Sequence, residues 1–230
     1  ELENGTMVFD GRIYPARKQA SDAEVAAKRL GRNHEATVRA LIREVEGDFV
    51  IVVAEKERLI VGRDSLGIRP LYYGENAGLA ALASERKALW KIGIEKTDPF
   101  PPGHIATVAE SGFRFKPVKV LGYSQSKQTS MQMAAKELQK LLKRAMQERV
   151  SRLKQVAVAF SGGLDSSLIA FLAKSSGANV HLIHVSLKNQ PETEYAKSAA
   201  KELKLPVSIY IYDECDVKKV LPRVLWLIED

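Results

Sequence analysis

The chain of 230 residues is 45% hydrophobic and 27% charged, with a formal net charge of +7. That composition excludes a disordered or fibrous chain and leaves enough apolar material for one large domain or two small ones. No apolar run reaches the length of a membrane span, no secretory pattern opens the sequence, and the single cysteine, Cys215, excludes an internal disulfide. A cytoplasmic protein is therefore expected. The basic balance is read as solubility charge rather than a nucleic-acid surface, because no Lys/Arg block carries interleaved aromatics.

In chain order, residues 6–14 alternate as a strand does. Helical spacing follows at 22–30 and 35–46, with Ser21 as N-cap and Glu24 completing a capping box. Short β-branched runs occupy 48–54, 58–62, 71–73 and 79–84, separated by turns such as Ser65-Leu66-Gly67 and Gly74-Glu75-Asn76. Pro101-Pro102-Gly103 and a strand at 104–109 close this part. Residues 1–121 are expected to form an α+β domain rich in antiparallel hairpins. Residues 122–131 are polar and read as a linker. An amphipathic helix at 132–149 precedes a strand at 156–160, a helix at 165–174, a strand at 180–187, a helix at 192–203, a strand at 207–212 and a last helix. Strands alternating with helices predict parallel βαβ units, so 132–230 is expected to be an α/β parallel-sheet domain.

The junction at 160–167 reads FSGGLDSS. A strand that enters a helix through a glycine turn presents unpaired N–H groups and the positive end of the helix dipole to an anion. Gly162 and Gly163 permit positive φ and close backbone approach, and Ser161, Ser166 and Ser167 add hydroxyl donors. Asp165 would repel a bare phosphate, so its presence points to Mg²⁺ shared between its carboxylate and phosphate oxygens. The alternative is a plain glycine turn in which Asp165 or Ser161 caps the helix. The stretch is neither GxxxxGK[ST] nor GxGxxG.

The segment from Ser161 to Ser167 resembles the pyrophosphate loop (PP-loop) of the N-type ATP pyrophosphatases. That resemblance implies cleavage of ATP between its α and β phosphates. It implies that Ser161, Gly162, Gly163, Ser166 and Ser167 hold pyrophosphate and that Asp165 ligates Mg²⁺. It also implies that Val185, in His184-Val185-Ser186-Leu187, lines an adenine pocket; Phe160 and Leu187 either join that pocket or belong to the sheet core.

Upstream, Gly47-Asp48-Phe49, the run from Gly62 to Tyr73 (GRDSLGIRPLYY), Ala83-Ser84-Glu85-Arg86-Lys87-Ala88-Leu89 and Pro101-Pro102-Gly103-His104 resemble the glutamine-amidotransferase domain fused to asparagine synthetase. The resemblance covers nearly the whole chain. It implies an N-terminal-nucleophile type amidotransferase-like domain followed by a PP-loop domain. Its reactants would be ATP, a small carboxylic acid such as aspartate, and ammonia or glutamine; neither membrane nor nucleic acid is expected as a partner, and a homodimer is one option. Read as scaffold, Arg63, Asp64 and Arg69 form an ion-pair network that pins a hairpin.

The glutaminase half departs from the family. The first residue is Glu1, where the family has a nucleophilic cysteine, and Cys215 has acidic neighbours that oppose a thiolate. The segment Asp10-Gly11-Arg12-Ile13-Tyr14-Pro15 puts a carboxylate where the family's oxyanion loop has an asparagine. Gly11 and Asp22 match the remaining glutamine-binding positions, although Asp22 in a first helical turn also suits the helix dipole. Glu229 resembles a residue near the adenylate site or is simply solvated. The sequence is expected to be cut at both ends or to be a short relative with a degenerate glutaminase. Three functions remain open: an asparagine-synthetase-type ligase, a PP-loop enzyme acting on a tRNA base or another acid, and a non-catalytic nucleotide binder.

Overall fold

The computed structural model describes residues 5–15, 20–124 and 128–229. Part of the expected linker, residues 125–127, and Asp230 lie outside them. The chain divides into two compact units that part between residues 125 and 126.

The first unit begins with β1 (Thr6–Tyr14), α1 (Asp22–Ala27), α2 (His34–Glu44), β2 (Glu46–Ala54) and β3 (Leu59–Arg63). It continues with β4 (Tyr72–Asn76), β5 (Leu79–Ala83), α3 (Arg86–Lys91), β6 (Asp98–Pro99), β7 (His104–Ala109) and β8 (Gly112–Pro117). The capping box at α1 is formed: the Ser21 side chain accepts from Glu24 N–H, and the Glu24 carboxylate accepts from Ser21 N–H.

Two antiparallel sheets result, in the orders β1-β2-β3-β7-β8 and β5-β4-β6. Strand β2 is an interior strand, second in the five-stranded order, and it buries residues on both faces. Ile51 and Val53 pack with Val38, Leu41 and Ile42 of α2. Val50 packs on the opposite face with Leu71, Phe100 and Ala106, next to Tyr73, Phe113 and Phe115. The α+β expectation for this unit is met. Strand β8, absent from the sequence reading, alternates Phe113 and Phe115 with Arg114 and Lys116 along an edge, where polar residues are tolerated.

The second unit contains α4 (Met131–Val150), β9 (Gln155–Ala159), α5 (Leu164–Ser175), β10 (Asn179–Leu187), α6 (Glu192–Leu203), β11 (Val207–Tyr212) and α7 (Glu214–Ile228). The sheet is parallel, in the order β11-β10-β9. Val158, Val180 and Leu182 are buried with Ala170 and Ala173 of α5 and with Ala196 and Ala200 of α6. Small helix residues against branched strand residues let the helices sit close on the sheet. Because all three strands run the same way, their carboxyl ends share one edge, where open α/β sheets place ligands. Among the described residues, no helix is long and apolar enough to cross a membrane.

Candidate functional site

Strand β9 stops opposite Ile183, four residues before β10 ends. The chain then turns through Ser161, Gly162 and Gly163 into α5. Gly162 has φ 81°, and a Cβ there would lie 2.8 Å from Cα and N of Ala196 in α6. Only glycine satisfies both the left-handed backbone and that close approach.

Gly163 is the N-cap of α5 and makes no side-chain cap hydrogen bond. The alternative in which Asp165 or Ser161 caps this helix is therefore not what forms. Ser161 Oγ instead accepts from Gly163 N–H at 3.2 Å and lies 3.1 Å from Ser166 Oγ, which donates to the Gly163 carbonyl at 3.3 Å. The Ser167 N–H donates to that same carbonyl as part of the helix. Asp165 stands in the first turn of α5 and is exposed. Two acceptor-donor hydroxyls, a helix start and one solvated carboxylate thus occupy a single turn.

Of the two readings of Phe160, the sheet core is the one that forms. The residue is 3% exposed and packs in the sheet core with Val158 and Ala196, so its ring offers nothing to a ligand. Alternation along β10 explains the contrast with Val185, which is 62% exposed on the opposite face from buried Leu182 and His184. Val185 lines a pocket of about 730 Å³ with Ile211 and Tyr212 of β11 and Asp216, Val217 and Val220 of α7. Sequence reasoning could not have collected these residues, because they come from three separate elements. Leu187, by contrast, is partly exposed at the end of β10. Glu229 follows α7 directly with φ 62°.

Asp216 has a local task as well. Its carboxylate accepts from Asp213 N–H at 3.1 Å, and the Asp213 carboxylate accepts from Asp216 N–H at 3.0 Å, closing the start of α7 reciprocally. The Asp216 N–H, followed by Lys188 at 3.3 Å, holds the Asp213 carboxyl below its usual range. Among the described residues, no group of three or more His, Cys, Asp or Glu is arranged to hold a metal ion.

In the first unit, Gly11 lies within β1 opposite Phe49. A Cβ there would meet the Asp48 carbonyl oxygen at 2.1 Å, so strand packing alone requires glycine. Asp22 opens α1, where its charge complements the helix dipole. Asp10 is exposed and lies 3.7 Å from the Arg69 guanidinium, which also donates from Nε to Asp48 at 3.2 Å. The Tyr14 hydroxyl donates to the other Asp48 oxygen at 2.8 Å. The carboxylate in the oxyanion segment is therefore ion-paired, although it still supplies no donor.

The expected ion-pair network at 63–69 takes a different form. Arg69 pairs with acids, but buried Arg63 and Asp64 bond to backbone. Arg63 donates to the carbonyls of Phe100, Gly67 and Arg69. Asp64 accepts from Phe49 N–H at 3.0 Å, Leu66 N–H at 2.8 Å and Gly67 N–H at 2.9 Å. A tight turn leaves several peptide groups without ladder partners, and buried peptide groups demand them.

His184 falls on the buried face of β10, as period-two alternation with Val180 and Leu182 dictates. Its Nδ1 lies 2.8 Å from the Phe160 carbonyl, at the entrance to the loop.

Comparison with known families places both units. The glutamine amidotransferase domain family matches residues 3–91, and the asparagine synthase family matches residues 137–230. A putative asparagine synthetase (glutamine-hydrolyzing) of Methanocaldococcus jannaschii is 30% identical over 82% of this chain and 38% of its own length. A probable asparagine synthetase of Dictyostelium discoideum is 26% identical over 100% of this chain and 46% of its own. The asparagine synthetase of Zea mays is 30% identical over 67% of this chain and 28% of its own. The chain thus spans less than half the length of these curated relatives. With an amidotransferase-type unit followed by an asparagine-synthase-type unit, the chain belongs to the glutamine-hydrolysing asparagine synthetase family.

Proposed function

We propose that the second unit binds Mg·ATP at residues 161–167 and activates a small carboxylic acid, aspartate first among candidates, for conversion to its amide. The observation that carries this reading is the uncapped start of α5, reached through a turn that only glycine fits and surrounded by hydroxyls and one exposed carboxylate. Helix-start N–H groups suit phosphate oxygens, and no side chain of Gly163 caps the first turn of α5. Ser161 and Ser166 hold each other in place before any anion arrives, which lowers the ordering cost of binding.

A cation at this loop would be held by Asp165, with phosphate oxygens and water completing its shell, the habit of Mg²⁺. Bound there, it would neutralise charge on the departing pyrophosphate. The pocket beside Val185 suits a flat apolar base, since Ile211, Tyr212, Val217 and Val220 line it. The acid's carboxylate oxygen attacks the α-phosphorus, the bond from that phosphorus to its bridging oxygen breaks, and the electron pair leaves with pyrophosphate. Ammonia then adds to the acyl carbon, the bond to the AMP oxygen breaks, and the nitrogen gives up a proton. Free ammonia is the nitrogen source to test first, because Asp10 supplies no oxyanion donor.

ATP–pyrophosphate exchange tests the reading directly. Exchange that requires aspartate, together with Mg·ATP-dependent protection of amides at 161–167, is the expected result. Protection without exchange for any acid would overturn the ligase reading. Salt-dependent retention of tRNA would move the acceptor to nucleic acid.

A further inference from the structure

We propose that His184 is the positioning residue of the phosphate loop, acting through the peptide group that joins β9 to Ser161; the inference rests on the nucleotide reading of residues 161–167. The parallel ladder ends with Phe160 N–H donating to the Ile183 carbonyl at 2.8 Å. One atom group further on, the Phe160 carbonyl takes its hydrogen bond from the His184 ring, also at 2.8 Å. An imidazole thus stands in for a ladder N–H at the point where the strand becomes the loop.

A carbonyl only accepts, so Nδ1 carries a proton, and the other ring nitrogen needs a partner of its own. That nitrogen, Nε2, is buried and has no hydrogen-bond partner among the described residues. The residue itself is 3% exposed and follows Val180 and Leu182 along the buried face of β10. An apolar side chain there would avoid the orphaned nitrogen. A polar ring kept at a cost in stability, with a single bond to show for it, directs attention to what that bond controls.

It controls the loop's first peptide. The peptide unit is planar, so fixing the Phe160 oxygen also fixes Ser161 N–H and Ser161 Cα. From that Cα hangs the hydroxyl that accepts from Gly163 N–H and meets Ser166 Oγ. On the other side, Gly162 is pressed against the α6 backbone. His184 and α6 therefore hold the two ends of the same turn, and a ligand carrying a chain of phosphates meets donors already in place.

Three substitutions separate positioning from packing. His184→Asn keeps an N–H near the Nδ1 position, His184→Gln moves it to the Nε2 position, and His184→Leu removes it while filling the space. Without nucleotide, amide exchange across 161–167 is expected to quicken about fivefold in the Gln and Leu proteins, the worth of one ordinary hydrogen bond, and to stay near wild type in the Asn protein. Mg·ATP affinity, measured by calorimetry, is expected to fall in the same pattern, while the unfolding midpoint of the Leu protein does not fall. Unchanged loop exchange in the Gln protein overturns the proposal, as does equal weakening by Asn and Gln. The same exchange pattern among the three variants, with a wild-type protein that binds no Mg·ATP, would instead overturn the nucleotide reading and leave the positioning intact.

Discussion

Two turns in this molecule have nearly the same ingredients and opposite uses. Residues 63–69 and 161–167 each combine glycine, serine and aspartate after a strand. In the first, Asp64 is 3% exposed and accepts three backbone N–H groups, while Arg63 donates to three carbonyls. In the second, Asp165 is exposed, and the helix behind it begins without a side-chain cap. Polar groups spent on their own backbone hold a turn together. Polar groups left facing solvent at a helix start are available to something else. Residue type does not distinguish these cases; the destination of each hydrogen bond does.

The largest expected effect lies on the scaffold side. Asp64→Ala strands three backbone donors, two of them in the turn itself, and should cost about 3–5 kcal/mol of stability. Urea unfolding would register the loss, while calorimetry should find Mg·ATP affinity in the remaining folded protein within about twofold of wild type, as expected for separate folding units. A stable variant with weakened nucleotide binding would break the comparison.

Asp165→Asn should do the opposite. Pyrophosphate exchange is expected to fall on the order of a hundredfold, because the amide cannot supply the charge that holds Mg²⁺. The unfolding midpoint should move only slightly, since the side chain is solvated and caps nothing and its charge contributes at most the helix-dipole interaction of about 0.3–1 kcal/mol. Wild-type exchange together with a lowered midpoint would return Asp165 to the scaffold.

The smallest effect extends the scaffold side to Glu55. Arg58, donating at 2.6 Å, and then His34 hold its carboxyl below the ordinary glutamate range against the opposing effect of burial. A carboxyl lowered in the folded state stabilises it above the unfolded value and loses that contribution as pH falls through the folded one. Arg58→Ala should therefore flatten the fall in stability below about pH 4, by less than about 1 kcal/mol for so exposed a pair. Parallel acid profiles of wild type and variant would show that this pair contributes nothing.

Much of this was legible beforehand because it is local. The Ser21–Glu24 capping box formed as its spacing suggested, and β11 and α6 occupy the spans their patterns indicated. Strand β8 and the short β6 escaped notice, since alternating Phe with Arg and Lys on an edge gives a weak signal and two residues give none. Phe160 was ambiguous for another reason. Its position at a strand end suits either a core or a ligand wall, and only packing against Ala196 decides.

The sequence by itself determined that a strand meets a helix through Ser-Gly-Gly, that a carboxylate follows one residue into that helix, and that two units of different pattern share the chain. These are rules of nearest neighbours: glycine's freedom in φ, side-chain period, and the unpaired N–H groups of a helix start. Only the tertiary structure decided that Asp64 is buried and Asp165 is not, that Val185 shares a pocket with residues of β11 and α7, and that His184 reaches the Phe160 carbonyl 24 residues away in sequence. Burial and hydrogen-bond partnership across such separations depend on how strands pair and helices pack, and no local pattern encodes them.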